Sequence, residues 1–341
     1  MSDPSVSSHT HAASVNDRPV LLDVRNLSID YVNKDASPAQ AVRELDFTLR
    51  AGEVLGLVGE SGCGKSTLML GLMRLLPPAG RIVDGAVYFQ GRDLLALSEA
   101  EMEDVRWKNI SIIFQGAMNA LNPVRTIGDQ IGEAIRLHMP RQDSAAVDAR
   151  IRRLLDLVGI AGNRKDQYPH QYSGGMRQRA MIAMALACDP QIVIADEPTT
   201  ALDVMIQAQI LELMGNLQKE LGLSIIFVTH DLGVVAELCD SVLVMYGGVT
   251  AEYADVDTIY NAPRHPYTQE LLRAFPDITR PAGKLTSIPG YPPRLDDLPP
   301  GCRFAPRCPQ VFGRCRQEMP PIYRLDDKHV ASCFLLEGES V

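Results

Sequence analysis

Aromatic side chains are scarce in this chain of 341 residues, at 6% with a single tryptophan. Basic charge is also short: 33 Lys and Arg face 42 Asp and Glu, a formal net charge of −9. That balance excludes a broad electrostatic grip on nucleic acid, which needs a basic surface. No apolar run approaches the ~20 residues that span a bilayer. Residues 1–18 contain no apolar stretch of the kind that directs secretion. They read as a polar disordered tail, with His9 and His11 solvated rather than metal-binding. No internal repeat is evident. What is present is 46% apolar and 22% charged residues, which excludes a largely disordered or collagen-like chain. The length suggests about two domains.

From Val20 the chain alternates short β-rich runs with Gly-containing turns: Leu21–Leu27, Val42–Leu49, Val54–Val58 and Gly85–Phe89. This early part predicts a mixed sheet. Residues from about 98 to 187 read mostly as helix, for example Ala149–Val158 and Met176–Ala187, with a short strand at Ile110–Phe114. Unalternating apolar runs then return at Gln191–Ala195, Ser224–Thr229 and Ser241–Met245, as expected of parallel strands covered on both faces. The predicted fold is α/β: a P-loop NTPase core sheet with an antiparallel β subdomain, a helical insertion and a loop-rich C-terminal extension. Beyond about residue 262 prolines crowd the chain. The expected units are therefore a tail at 1–18, a domain at 19–262 and an extension at 263–341.

Gly59-Glu60-Ser61-Gly62-Cys63-Gly64-Lys65-Ser66 fits the phosphate-loop pattern G-x-x-x-x-G-K-[ST], between a predicted strand and a predicted helix through Thr67. Glycines let the backbone wrap phosphate oxygens, and the helix start adds positive potential. Lys65 is expected to reach the β- and γ-phosphates of ATP, and Ser66 to ligate Mg²⁺. A second site ends the apolar strand at Asp196 and Glu197. A strand buried on both faces delivers its last residues to the sheet edge where ligands bind. Asp196 is expected to hold Mg²⁺ and Glu197 to polarise the attacking water.

Tyr172-Ser173-Gly174-Gly175-Met176-Arg177-Gln178-Arg179 precedes that strand, and Ala201-Leu202-Asp203 and Thr229-His230-Asp231 follow it. In this order the motifs resemble the ATP-binding cassette family over roughly residues 20–260. The resemblance implies a role for each residue. Tyr31 stacks on adenine, Gln115 senses Mg²⁺ and the γ-phosphate, and His230 is the switch histidine. Ser173, Gly174 and Gly175 form the signature that closes on nucleotide held by a second cassette, and Asp203 lies in the loop joining the two sites. Because each ATP lies between two subunits, a dimer is implied.

The peptide-permease branch is the one most resembled, through Tyr168–Arg179, Ala195–Asp203, His265–Leu272 and Gly301-Cys302-Arg303-Phe304-Ala305-Pro306-Arg307-Cys308-Pro309. Such importers pair two related cassette subunits with two membrane permease subunits and an external binding protein. The implied function is an ATPase powering import of di- or oligopeptides from the cytoplasmic face of the inner membrane, as a peripheral subunit. The alternatives are nickel or glutathione as cargo, or a cassette ATPase outside transport. Two departures are visible. Gly116 and Ala117 follow Gln115 where the family has Asp-Pro. The stretch Gly248–Asp255 lacks a glycine near Glu252, which is expected to affect only a turn.

Cys302, Cys308, Cys315 and Cys333 have five, six and seventeen residues between neighbours. Four thiolates suit [4Fe–4S] or Zn²⁺. The spacing resembles the permease tail, where some members carry a [4Fe–4S] cluster, so that is the first expectation, with Zn²⁺ and free thiols as alternatives. Arg303, Arg307, Arg314 and Arg316 read as solvated. Cys63 reads as a point where thiol modification blocks ATP.

Overall fold

A computed structural model describes residues 18–32, 37–116, 120–200, 202–274 and 287–339. The expected tail, with His9 and His11, lies outside the described residues except for Arg18, which donates to the Gly52 carbonyl. Ala117, Ala201, Pro276 and Pro281 also lie outside them.

The structure is α/β. Strands β1 (Val20–Tyr31), β2 (Ala39–Arg50), β4 (Gly80–Phe89) and β5 (Arg92–Asp93) form an antiparallel sheet in the order β2-β1-β4-β5. A larger sheet is built on β3 (Val54–Val58), β6 (Ile110–Ile113), β7 (Ile192–Asp196), β8 (Ser224–Thr229) and β9 (Ser241–Tyr246). These five run parallel in the order β9-β3-β8-β7-β6. Strand β10 (Val249–Asp255) pairs antiparallel with β9, and two short C-terminal strands, β11 (Tyr323–Arg324) and β12 (Val330–Ala331), continue beyond it. The C-terminal extension is therefore joined to the main sheet. Strand β6 is the short strand expected within the mostly helical span.

Both faces of the main sheet are buried, which is why its strands read as unbroken apolar runs. Along β8 the side chains alternate: Ile225 and Phe227 enter one core cluster, Ile226 and Val228 the other. The second cluster also holds Leu27, Ile29 and Leu45 of the antiparallel sheet, with Leu68 and Leu72 of α1 (Lys65–Leu72). The first takes the apolar stripes of α3 (Ile127–His138), α4 (Ser144–Leu157) and α5 (Gly174–Ala185). Before them, α2 (Glu99–Val105) opens with a Ser98–Glu101 capping box, which ties off its free N–H groups.

After β7 come α6 (Val204–Leu221), α7 (Leu232–Leu238), α8 (Val256–Asn261) and α9 (Pro266–Ala274). The caps do double duty here. Ser173, Asp203 and Asp231, all within the sequence motifs, are the N-caps of α5, α6 and α7. Helix formation therefore fixes these motif residues at element ends. Among the described residues no helix is long and apolar enough to cross a membrane.

Glu252 corrects one expectation. The missing glycine does not alter a turn: Glu252 lies inside β10, is 0% exposed and sits at a register shift after Thr250. Its carboxylate accepts the N–H groups of Arg264 (2.6 Å) and His265 (3.0 Å) and pairs with His329 Nε2 (2.7 Å). A glycine here would leave those groups buried without partners, which is costly.

Candidate functional site

Strand β3 lies between two parallel neighbours, β9 and β8, and the loop after it opens at the sheet's C-terminal edge. Gly64, at φ +104, caps α1; a Cβ there would stand 2.1 Å from the Ala41 carbonyl oxygen, so only glycine fits. Gly62, at φ +82, faces open space, so nothing of the protein crowds the loop backbone there. Lys65 Nζ crosses the loop, donating to the carbonyls of Gly59 (2.7 Å) and Glu60 (3.1 Å). Cys63 is turned inward and 1% exposed, and burial pushes its thiol up while Lys65 opposes the shift. The expected modification point is therefore shielded by its own fold. Tyr31, at the end of β1, is half-buried and its hydroxyl meets Thr67 Oγ1 at 3.3 Å, which puts the ring beside the start of α1.

The acidic pair ends β7, two strands from the loop. Asp196 is buried, and burial first, then the charge of Glu197, raises it to about 6; Lys65 and the Ser66 hydroxyl pull the other way. Glu197 has φ +41, a strained value for a non-glycine residue and one that concentrates at functional sites. Three side chains from separate segments grip its carboxylate. Gln115 Nε2 donates to Oε2 at 2.8 Å, Thr200 Oγ1 donates to the same oxygen at 2.9 Å, and His230 Nδ1 stands 3.1 Å from Oε1. Gln115 and His230, which the resemblance assigns to sensing the nucleotide, both contact Glu197 here. Thr200 was missed by sequence reasoning, although it stands three residues after Glu197. A cavity of about 240 Å³ opens beside His230, lined also by Thr199, Gln207 and Asp231.

The oxygen donors at this edge suit a hard cation. The Ser66 hydroxyl works to lower the Asp196 carboxyl, and the Gln115 amide spends its N–H on Glu197. Mg²⁺ prefers such an oxygen set.

The signature is elsewhere. Ser173 and Gly174 are exposed, and Ser173 Oγ accepts only the Met176 N–H at 3.3 Å. Among the described residues Ser173 makes no hydrogen bond to the phosphate loop or the acidic pair. Gly175 is packed tightly enough that a Cβ would meet Ile206 at 2.8 Å. Asp203 is exposed beside Val204 and Met205, which are 80% and 72% exposed.

The four clustered cysteines line one cavity of about 20 Å³ with Phe304 and Phe334. The metal expectation gains no support from this geometry. Among the described residues no group of three or more His, Cys, Asp or Glu is drawn together to hold a metal ion. Burial raises the thiols of Cys302, Cys308 and Cys333, the last to about 11. The solvated reading of the arginines is corrected for two of them. Arg303 is 6% exposed and donates to the Gly247 carbonyl and to Gln40 Oε1 (2.9 Å). The Arg307 side chain is 5% exposed and pairs with Glu60. Arg314 lies over the Phe334 ring and pairs with Glu318 and Glu337, while Arg316 is exposed.

A glycine loop on an interior parallel strand, with a gripped carboxylate two strands away, defines a P-loop nucleoside triphosphatase. Residues 42–200 match the ABC transporter family. Residues 251–315 match the oligopeptide/dipeptide transporter C-terminal region. The chain is 48% identical to a probable peptide ABC transporter ATP-binding protein, y4tR, of Sinorhizobium fredii, over 92% of this chain and 95% of that one. It is 48% identical to the dipeptide transport ATP-binding protein DppD of Bacillus subtilis (92% and 94% covered). It is 47% identical to the oligopeptide transport ATP-binding protein OppD of Salmonella typhimurium (92% and 93%). Among solved structures, cbiO1 from Clostridium perfringens, part of the ABC transporter complex cbiONQ, superposes with a TM-score of 0.62 at 28% identity, covering 71% of this chain and 91% of that one. The ATP-binding cassette MJ0796, in a dimeric post-hydrolysis state bound to ADP and Pi, gives 0.62 at 25% identity, covering 69% and 99%. The chain belongs to the ABC transporter family, as an ATP-hydrolysing ATP-binding protein of its oligopeptide/dipeptide group.

Proposed function

We propose that this chain powers the import of dipeptides or oligopeptides through a membrane permease complex by hydrolysing ATP. The observation that carries this is similarity to peptide-transport ATP-binding proteins over 92% of the chain, C-terminal region included. The cassette occupies about residues 19–262 and the permease-type extension 263–341. The subunit sits at the cytoplasmic face of the inner membrane. It pairs with a second cassette, a paralogue, and with two transmembrane permease subunits fed by an external binding protein.

In this reading the amides of Gly59–Gly64 cradle the phosphates and Lys65 neutralises them. Tyr31 stacks on the base. Ser66, Gln115 and Asp196 would hold Mg²⁺, which would supply neutralisation of phosphate charge. Glu197 takes the proton of the attacking water, held in aim by Gln115, Thr200 and His230. The exposed Ser173 and Gly174, with Gly175 and Asp203, close on ATP held by the partner cassette. Loss of γ-phosphate contacts then lets the pair open, a ligand-driven population shift. The segment after Gln115 passes the motion to the permease.

The test is uptake of labelled di- and oligopeptides in cells carrying Glu197→Gln in place of the native chain. Loss of peptide uptake with other solutes unaffected is the expected result. Unchanged peptide uptake with loss of nickel or glutathione uptake would move the cargo, and unchanged uptake of all three would remove the import reading.

The [4Fe–4S] reading of Cys302, Cys308, Cys315 and Cys333 belongs here too. It rests on the number and spacing of the four thiols, which resemble those of the permease tail. Protein purified without oxygen should be brown and hold iron and acid-labile sulfide in equal amounts. Colourless, iron-free protein from that preparation would discard the cluster.

A further inference from the structure

Glu60, the first variable residue of the phosphate loop, is held by the C-terminal extension at three atoms. Its N–H donates to the Tyr267 hydroxyl at 3.0 Å. Its carboxylate takes a two-pronged contact from Arg307, NH1 to Oε2 at 2.6 Å and NH2 to Oε1 at 3.0 Å. Its remaining polar atom, the carbonyl, accepts Lys65 Nζ. One residue therefore ties the extension to the loop's essential cation.

The clamp is rigid on its outer side. Arg307 spends its other hydrogen bonds on Pro289 O (2.8 Å), Ile288 O (3.3 Å) and the Tyr246 hydroxyl (3.1 Å). A guanidinium with this many fixed acceptors has little freedom, and a two-pronged carboxylate contact adds direction as well as charge. Tyr267 is fully buried, with ring centroids 4.5 Å from Tyr246 and 5.3 Å from Phe304. Phe304 and Arg307 lie three residues apart on the segment between Cys302 and Cys308. That segment thus supplies both the wedge behind Tyr267 and the fork on Glu60.

A phosphate cradle works only if the right peptide groups face inward before the ligand arrives. The Glu60 N–H is committed outward to Tyr267, and its carbonyl inward to Lys65. The Glu60 carboxylate, which on its own would repel a triphosphate, is neutralised by Arg307. We propose that Arg307 and Tyr267 are positioning residues for the phosphate loop, so that the C-terminal extension sets the affinity of the site for ATP. This rests on the loop being the ATP site.

The experiment is steady-state ATP hydrolysis by the assembled transporter, with kcat and KM separated and the melting temperature of each variant recorded. Arg307→Ala is expected to raise the KM for ATP about ten-fold, the effect of losing one charge-assisted contact, while kcat stays within about two-fold. Arg307→Lys should recover part of the loss. Glu60→Gln combined with Arg307→Ala should be no worse than Arg307→Ala alone, because both act through one pair. If Arg307→Ala does not fold, Tyr267→Phe removes one acceptor without removing volume and should itself raise KM about three-fold. An unchanged KM with a lowered melting temperature would reduce the clamp to a structural staple and overturn the proposal. Lys65→Ala separates the two failures: full activity there would remove the ATP-site reading, and the positioning role with it.

Discussion

Glu197→Gln should leave ATP binding within a few-fold of the native chain and lower kcat by about 100- to 10,000-fold, the usual contribution of a general base. The amide has the size of the carboxylate and keeps an oxygen for the Gln115 N–H now 2.8 Å from Oε2. The site geometry should therefore survive while proton acceptance is lost. A complex in which this is the only competent site should bind labelled ATP and remain closed. Normal turnover in that complex would sink the general-base role. The prediction is sharper because Glu197 is held by three side chains and a strained φ of +41, an arrangement that fixes one carboxylate direction.

The second large effect is on stability. Glu252→Ala should cost about 3–5 kcal/mol and lower Tm by roughly 5–10 °C, because it strands His329 and two buried backbone N–H groups. Glu252→Gln, which keeps an acceptor oxygen, should cost less. Acid should act on the same region. His265 accepts the Tyr267 N–H on Nδ1 (3.0 Å), which requires a neutral ring, and burial lowers its pKa from 6.5 to about 4. Between those values the unfolded chain binds the extra proton, so stability present above pH 6.5 is lost as pH falls toward 4. Burial works to raise Glu252, but hydrogen bonds from His329 and the two N–H groups outweigh it and hold it below the ordinary carboxyl value. Its contribution is present above about pH 4.5 and is lost below that. Melting curves from pH 7 to pH 4 check both; a flat Tm across that range would contradict them.

Several elements were legible because their signal is local. Val54–Val58 and Ser224–Thr229 match their strands residue for residue, since strands covered on both faces carry unbroken apolar runs. Others were truncated: β1 runs to Tyr31 and β4 begins at Gly80, where polar residues interrupt the apolar run and weaken the pattern. The grip on Glu197 was only half legible. Gln115 and His230, 82 and 33 residues away, were assigned by resemblance, and nothing in their own neighbourhoods pointed to that carboxylate.

By itself the sequence determined the phosphate loop, because eight consecutive residues hold the glycines, the lysine and the hydroxyl that make it. It also determined the alternation of elements, which follows from where apolar side chains repeat. Only the tertiary structure decided the fate of the buried charges. Arg307 reaches Glu60 across 247 positions and His329 reaches Glu252 across 77. An arginine among prolines and cysteines reads as solvated, since charged residues are rarely buried unless paired. Whether a partner waits for it depends on where the chain returns after two sheets have packed, and that is a property of the folded molecule.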